Sequence, residues 1–142
     1  MAGLSKDEQA AAKERAAEVR KQASRARGQD KRAADLADVL AVIAAMPQDD
    51  CALAQRVHDV ITRAAPQLDA RTWYGMPAYA LDGTVVCFLQ VGSKFGTRYA
   101  TLGFNDAARL DDGPMWPTAF AIARMTRATE TRVRELLRAA LD

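Results

Sequence analysis

The chain has one histidine and two cysteines, the residue types that most often serve as bases, nucleophiles or zinc ligands. His58 lies in a helical pattern with no serine motif beside it, so we predict a half-exposed helix histidine rather than a general base. Cys51 follows two aspartates, which oppose thiolate formation, and Cys87 lies in an apolar stretch typical of a buried strand. One histidine and two distant cysteines also cannot make a zinc site within one chain. These residues predict neither a nucleophile nor a zinc centre.

Carboxylates are the remaining type of metal ligand, and they suit hard cations. The candidate ligands lie around the predicted helices and in one glycine-containing loop: Asp35, Asp38, Asp49, Asp50, Asp106, Asp111 and Asp112. The loop lacks the alternating oxygen ligands of an EF-hand, so a solvated turn is the simpler interpretation there. The sequence has no glycine-rich phosphate loop, catalytic triad or recognisable carboxylate pair. We therefore predict a non-enzymatic protein.

The aromatic segment Thr72–Tyr79 is the most unusual part of the chain. Gly75 permits a sharp bend, whereas Pro77 removes a strand donor and predicts either an edge position or the start of a strand. Such a segment can pack a sheet onto its helices, which we favour, or line a groove for a small ligand or a peptide. The groove hypothesis brings Trp73 and Trp116 face to face. Its surface residues are Trp73, Tyr74, Gly75, Met76, Pro77, Tyr79 and Trp116.

The first 34 residues form a basic helical arm with nine Lys or Arg, five Asp or Glu and a net charge of +4. Ser5 followed by Glu8 predicts a helix start, and Ala-, Glu- and Arg-rich sequence extends the helix over residues 5–24. The arm has few large apolar residues, so we expect it to be mobile or loosely docked, with a break at residues 27–30. It can bind phosphates non-specifically. Interleaved acidic residues and the absence of aromatic residues before Trp73 disfavour a nucleic-acid partner.

Hydrophobic periodicity predicts the elements of the remaining domain, residues 35–142. Two helices end at Pro47 and Pro66, and Asp49 or Asp50 is the expected cap of the second. Asp82-Gly83 predicts a hairpin turn. The strands around and after it are 78–81, 84–91, 98–104 and 118–122, and a last helix begins near residue 126. This order predicts an α+β, two-layer sandwich in which N- and C-terminal helices cover one face of a small antiparallel sheet.

The chain has 142 residues, of which 49% are hydrophobic and 27% are charged. This composition is typical of a globular domain. No apolar run approaches the roughly 20 residues of a membrane helix, and residues 1–12 lack the apolar segment of a secretory signal. Two cysteines make no disulfide framework, so we expect a reducing, cytoplasmic setting. An edge strand near Pro77 or a docked N-terminal helix would provide a surface for forming a homodimer.

The segment from Trp73 to Tyr79, with its Tyr-Gly-Met-Pro core, resembles the YdhG-like family of small bacterial domains. The resemblance covers roughly residues 35–142 and continues through 82–88, 94–95, 98–104, 110–113 and 115–118. This family is similar to the YjbR/CyaY-like superfamily, which implies the same antiparallel sheet packed against helices from both chain ends. Some members are described as frataxin-like iron chaperones, which implies weakly bound iron(II) and a partner in iron–sulfur or haem assembly.

Two functional hypotheses follow from these residues and from the resemblance. In the first, surface carboxylates carry iron: Asp35 and Asp38 on the first core helix, Asp49 and Asp50 beyond it, or Asp111 and Asp112 in the loop. This set is sparser than the acidic ridge of frataxin-type proteins, and the domain's net charge is only −2. In the second, the aromatic segment binds a small ligand or a peptide.

Overall fold

A computed structural model describes residues 5–25 and 28–142, which form five helices and five strands. The helices are α1 (Lys6–Ser24), α2 (Gln29–Ala44), α3 (Gln48–Ala64), α4 (Gly92–Phe95) and α5 (Arg127–Leu141). The strands are β1 (Asp69–Trp73), β2 (Met76–Leu81), β3 (Thr84–Gln90), β4 (Ala100–Phe104) and β5 (Ala119–Ile122). Arg27, in the expected break, lies outside the described residues. The expected domain boundary between residues 34 and 35 falls inside α2.

All five strands pair with their sequence neighbours in an antiparallel meander, in the order β1-β2-β3-β4-β5. The predicted α+β sandwich is therefore confirmed. Asp82 and Gly83 form the predicted hairpin turn with φ of 50° and 84°. β1 was not among the predicted strands. Because β1 pairs with β2, Pro77 lies in an interior strand, so the edge prediction is wrong and the strand-start prediction is right.

One face of the sheet packs against α2, α3 and α5 and forms the hydrophobic core. The strand register places Ala70, Tyr79, Cys87 and Phe104 side by side on this face, all buried. Apolar residues of the three helices complete the cluster, among them Val39, Ile43, Val57, Ile61, Val133 and Leu137. Full burial of each such side chain contributes about 1.5–3 kcal/mol. The core therefore holds the sheet and these three helices as one unit.

Two helices begin where the sequence predicts, and at a third the predicted cap is wrong. Ser5 Oγ accepts the backbone N–H of Glu8 at 3.1 Å, and Thr126 caps α5. At α3 the N-cap position is Pro47, with no side-chain cap, so the prediction that Asp49 or Asp50 caps this helix is wrong. Both aspartates lie in its first turn, where negative charge favours the helix dipole.

The other sheet face carries Trp73, Met76 and Phe88, which the strand register places next to one another. The N-terminal part of α1 lies against these side chains, and the helix also contacts β1 and α4. No helix among the described residues has the length and apolar character needed to cross a bilayer.

Candidate functional site

The hairpin between β1 and β2 turns at Tyr74 and Gly75. Trp73 pairs with Met76, so these two residues form the whole loop, with φ of 52° and 74°. Positive φ at both positions is the requirement of a type I′ turn, and it matches the strand twist. Glycine adopts this conformation freely, whereas tyrosine does so at a cost of about 1–2 kcal/mol. The unusual segment is thus first of all a tight turn.

The carboxylate of Glu18, from α1, binds this turn. Its two oxygens accept the backbone N–H groups of Tyr74 at 2.8 Å and Gly75 at 2.9 Å. Only 7% of Glu18 is exposed, and a buried carboxylate is tolerated when strong hydrogen bonds replace its water. Two donors from one turn therefore fix α1 on the hairpin.

A second polar contact lies directly above the turn. Lys94 Nζ is 2.6 Å from Glu14 Oε2 and 3.4 Å from the carbonyl oxygen of Gly75. A Cβ atom at position 75 would lie 1.4 Å from Glu14 Oε2. Position 75 therefore requires glycine for two reasons: the positive φ of the turn and the close approach of this ion pair.

The C-terminal end of α1 is tied to α2 through Asp35. This carboxylate accepts hydrogen bonds from Arg25, from Gln22 at 2.8 Å and from Lys31 at 2.6 Å. Burial raises the pKa of Asp35, but the hydrogen bonds from Lys31, Arg25 and Gln22 outweigh it and leave the pKa below its ordinary value. Arg25 also binds Asp38 at 2.7 Å. In this structure α1 is docked along its length, and mobility of the arm stays a prediction.

A cavity of about 380 Å³ lies between α1 and the second sheet face, and we call it the aromatic groove. The rings of Trp73 and Phe88 are 5.1 Å apart, and Tyr74 packs edge-on against Trp73 at 5.0 Å. The groove is open because α1 places alanines over it. Its lining residues are Glu8, Ala11, Ala12, Trp73, Tyr74, Met76, Phe88, Gln90 and Phe95.

The predicted aromatic surface is divided by the alternation of β2. Met76 faces the groove, together with Trp73 and Tyr74 of the hairpin. Pro77 and Tyr79 are instead buried, because successive strand residues face opposite sides of the sheet. Tyr79 is 1% exposed and belongs to the core, so its assignment to the ligand surface is not supported.

Trp116 lies apart from this groove. It lines a separate cavity with Phe104, Arg109 and Thr118, in the connection between β4 and β5. That connection is at the opposite edge of the sheet from β1. The expectation that Trp73 and Trp116 face each other is therefore wrong.

His58 and Cys87 are buried, whereas Cys51 is partly exposed. His58 is only 5% exposed, which corrects the predicted half-exposed histidine, and its Nδ1 lies 2.8 Å from the hydroxyl of Tyr79. Burial lowers the pKa of His58 despite the opposing charge of Asp59. Burial also raises the pKa of Cys87 to about 12, which suppresses its thiolate as expected for a core residue. Cys51 is partly buried against the core.

The candidate metal ligands are either paired within the protein or exposed, and the exposed Asp106 lines one cavity with Asp111. Asp35 and Asp38 are held by cations at the α1–α2 contact, and Asp50 accepts a hydrogen bond from Ser93. Asp49, Asp111 and Asp112 are exposed. Within residues 5–25 and 28–142 no three His, Cys, Asp or Glu side chains form a group able to hold a metal ion.

Several residues of the site were missed by the sequence analysis. Glu18 binds the turn, while Ala11 and Ala12 line the groove with Phe88 and Phe95. A single buried glutamate in an Ala-, Glu- and Arg-rich helix has no periodic signal, because its partner is a backbone turn far along the chain. The two phenylalanines lie in predicted β-rich sequence, but Phe88 joins the face of Trp73 through strand register and Phe95 reaches the groove from α4.

Comparisons of the chain with protein-family models, curated proteins and solved structures find no match. The resemblance to the YdhG-like family and its implied iron chemistry therefore remain predictions. The functional argument rests on the geometry of the groove and its surroundings.

Proposed function

We propose that this protein is a non-enzymatic binding module whose aromatic groove takes a flat, apolar small molecule. The supporting observation is the convergence of four aromatic rings and Met76 on a cavity of about 380 Å³. Small-molecule sites are typically clefts of about 300–1,000 Å³ with apolar walls and few polar groups. The polar groups here are the amide of Gln90 and the carboxylate of Glu8.

The packing alternative explains only part of the segment. Pro77 and Tyr79 are buried against the core, and the turn at Gly75 holds α1. Packing does not account for the partial exposure of Trp73 and Phe88, which leaves large apolar rings in contact with water. A flat ligand between these rings and α1 would remove that area from water, which is the main source of affinity in such sites.

Iron carriage has less support from the geometry. Asp35 and Asp38 already neutralise Arg25, so an incoming cation would have to displace an ion pair. The other candidate aspartates lie in two separate places, Asp49 and Asp50 on α3 and Asp106, Asp111 and Asp112 in the connection between β4 and β5. The groove is the better candidate because four aromatic rings and Met76 line it with few polar groups.

The test uses a Trp116→Phe background, in which Trp73 is the sole tryptophan. The probe is N-phenyl-1-naphthylamine, a neutral aromatic amine whose fluorescence rises in apolar sites. We expect saturable binding with energy transfer from Trp73. Ala12→Leu fills the groove and should weaken binding at least about tenfold, a change of about 1.4 kcal/mol.

Ala10→Leu is the matched control, since Ala10 is exposed on the same helix and does not line the groove. Absence of saturable probe binding, or equal binding by the Ala12→Leu and Ala10→Leu proteins, would overturn the proposed function. Thermal unfolding of each variant confirms that the fold is retained.

A further inference from the structure

A second, larger cavity of about 560 Å³ lies between α1 and α2, on the other side of the Tyr74–Gly75 turn. We call it the α1–α2 cavity. Its inner wall is apolar and is formed by Ala17, Val42, Met46 and Val91. It shares no lining residue with the aromatic groove, so a ligand in one cavity does not occupy the other.

The carboxylates at the mouth of this cavity are already engaged. Glu14 pairs with Lys94, and Glu18 accepts the two turn N–H groups. Asp38 pairs with Arg25 at 2.7 Å. Each negative charge at the mouth therefore has a partner within the protein, and none is free to attract a cation.

Lys21 differs from these groups. It lines the same cavity, and its ammonium makes no hydrogen bond or ion pair with any residue in the described part of the chain. Thr72 also lines the cavity, and its hydroxyl makes no hydrogen bond with the described residues. The cavity lining therefore offers one exposed ammonium without an ion-pair partner and one hydroxyl beside an apolar wall.

We propose that the α1–α2 cavity binds an amphipathic monocarboxylate, such as a medium-chain fatty acid. The carboxylate accepts hydrogen bonds from the Lys21 ammonium and the Thr72 hydroxyl, while the hydrocarbon chain lies against Val42, Met46 and Val91. A single negative charge matches the one cavity-lining ammonium that has no ion-pair partner among the described residues. This site does not depend on the proposed function of the aromatic groove.

Three eight-carbon probes test the proposal on the full chain: octanoate, octanol and octylammonium. They share a hydrocarbon chain and differ in head-group charge. Methionine methyl NMR locates each probe, since Met46 lines the α1–α2 cavity and Met76 lines the aromatic groove. We expect octanoate to shift the Met46 methyl saturably and to leave Met76 largely unmoved. Octanol should bind about tenfold more weakly, and octylammonium more weakly still.

Substitutions on α1 measure separately how the Lys21 charge and the cavity volume contribute to probe affinity. Lys21→Gln should reduce octanoate affinity to that of octanol and leave octanol affinity unchanged. Lys13→Gln is the control, because Lys13 is exposed on the same helix and lines neither cavity. Ala17→Leu fills the cavity and should weaken both probes.

Three results would overturn the proposal: octylammonium binding as tightly as octanoate, octanoate affinity unchanged by Lys21→Gln, or a Met76 shift in place of the Met46 shift. The last result assigns the acid to the aromatic groove and leaves the proposed function standing. Binding of octanoate at Met46 without any N-phenyl-1-naphthylamine binding would support this site and reject the proposed function.

Discussion

The buried pair His58 and Tyr79 makes the stability of this core depend on pH. Their side chains are 2.8 Å apart inside the apolar cluster, and burial lowers the pKa of His58 below its ordinary value of 6.5. The folded protein therefore holds this histidine neutral at a pH where the unfolded chain already binds a proton.

The free energy of unfolding should fall as the pH drops below about 6.5, because only the unfolded state gains the proton. The slope is at most about 1.4 kcal/mol per pH unit, and stability is regained above pH 6.5. Urea unfolding between pH 5 and 8 measures it. His58→Gln, which cannot titrate, is the control and should flatten this part of the curve. Titration of His58 near 6.5 in the folded protein, followed by imidazole NMR, would contradict the expectation.

Gly75 and Gly83 form a natural pair for separating turn strain from tertiary contact. Both have positive φ, 74° and 84°, but only Gly75 lies under the Glu14–Lys94 ion pair. Gly83→Ala should cost about 1–2 kcal/mol from the backbone alone. Gly75→Ala should cost more, because the new methyl group also displaces Glu14 and Lys94. Urea unfolding of the two variants measures the difference, and equal losses would show that the ion pair contributes nothing to stability.

At the scale of elements, α1 is attached differently from the other long helices. Its buried residues among those described are Ala11 and Glu18, whereas α3 and α5 each bury several large apolar side chains. Tertiary apolar packing normally supplies most helix stability. In α1, hydrogen bonds to a turn and ion pairs with α2 and α4 replace this apolar packing. Both cavities lie along the polar interface that these contacts form.

Glu18→Gln should loosen α1 while leaving the core intact. The amide loses the negative charge and presents an NH₂ group to one turn donor, which costs about 1–3 kcal/mol. Hydrogen exchange of the amides in residues 6–24 should accelerate, and those of α3 and α5 should keep their protection. Lys13→Gln on the same helix is the control and should leave exchange unchanged. Unchanged exchange in the Glu18→Gln protein would mean that the contact does not hold the helix.

At the scale of the whole molecule, charge is balanced locally rather than gathered into a ridge. The chain has 20 basic and 18 acidic residues, and the buried aspartate is neutralised by neighbours from both α1 and α2. An acidic iron carrier needs carboxylates that are free and close together. In the part of the chain that the structure describes, no three His, Cys, Asp or Glu side chains form a group able to hold a metal ion.

An anaerobic ferrous-iron titration followed by amide NMR tests this balance. We expect no selective broadening at Asp35 or Asp38 at near-millimolar iron, because their oxygens already hold Arg25 and Lys31. Selective broadening there, or at Asp49 and Asp50, would restore the iron-carrier hypothesis. Zinc at the same concentration controls for general binding to exposed carboxylates.

Local rules account for most elements of this fold. Asp82-Gly83 determines a hairpin because both positions require positive φ. The apolar stripe of α5 and the cap at Thr126 determine that helix through contacts three or four residues apart. From this order of elements the sandwich follows, since helices before and after an antiparallel sheet must bury their apolar faces on it.

Only the tertiary structure decided the site. β1 carries few large apolar residues, so it becomes a strand by pairing with β2 rather than by its own pattern. The burial of His58, the contact of Glu18 with the Tyr74–Gly75 turn and the separation of Trp73 from Trp116 all join residues distant in sequence. The sequence alone determined most of the elements and the α+β class, because those depend on neighbouring residues. The two cavities depend on how α1 crosses the finished sheet, a geometry that no local pattern encodes.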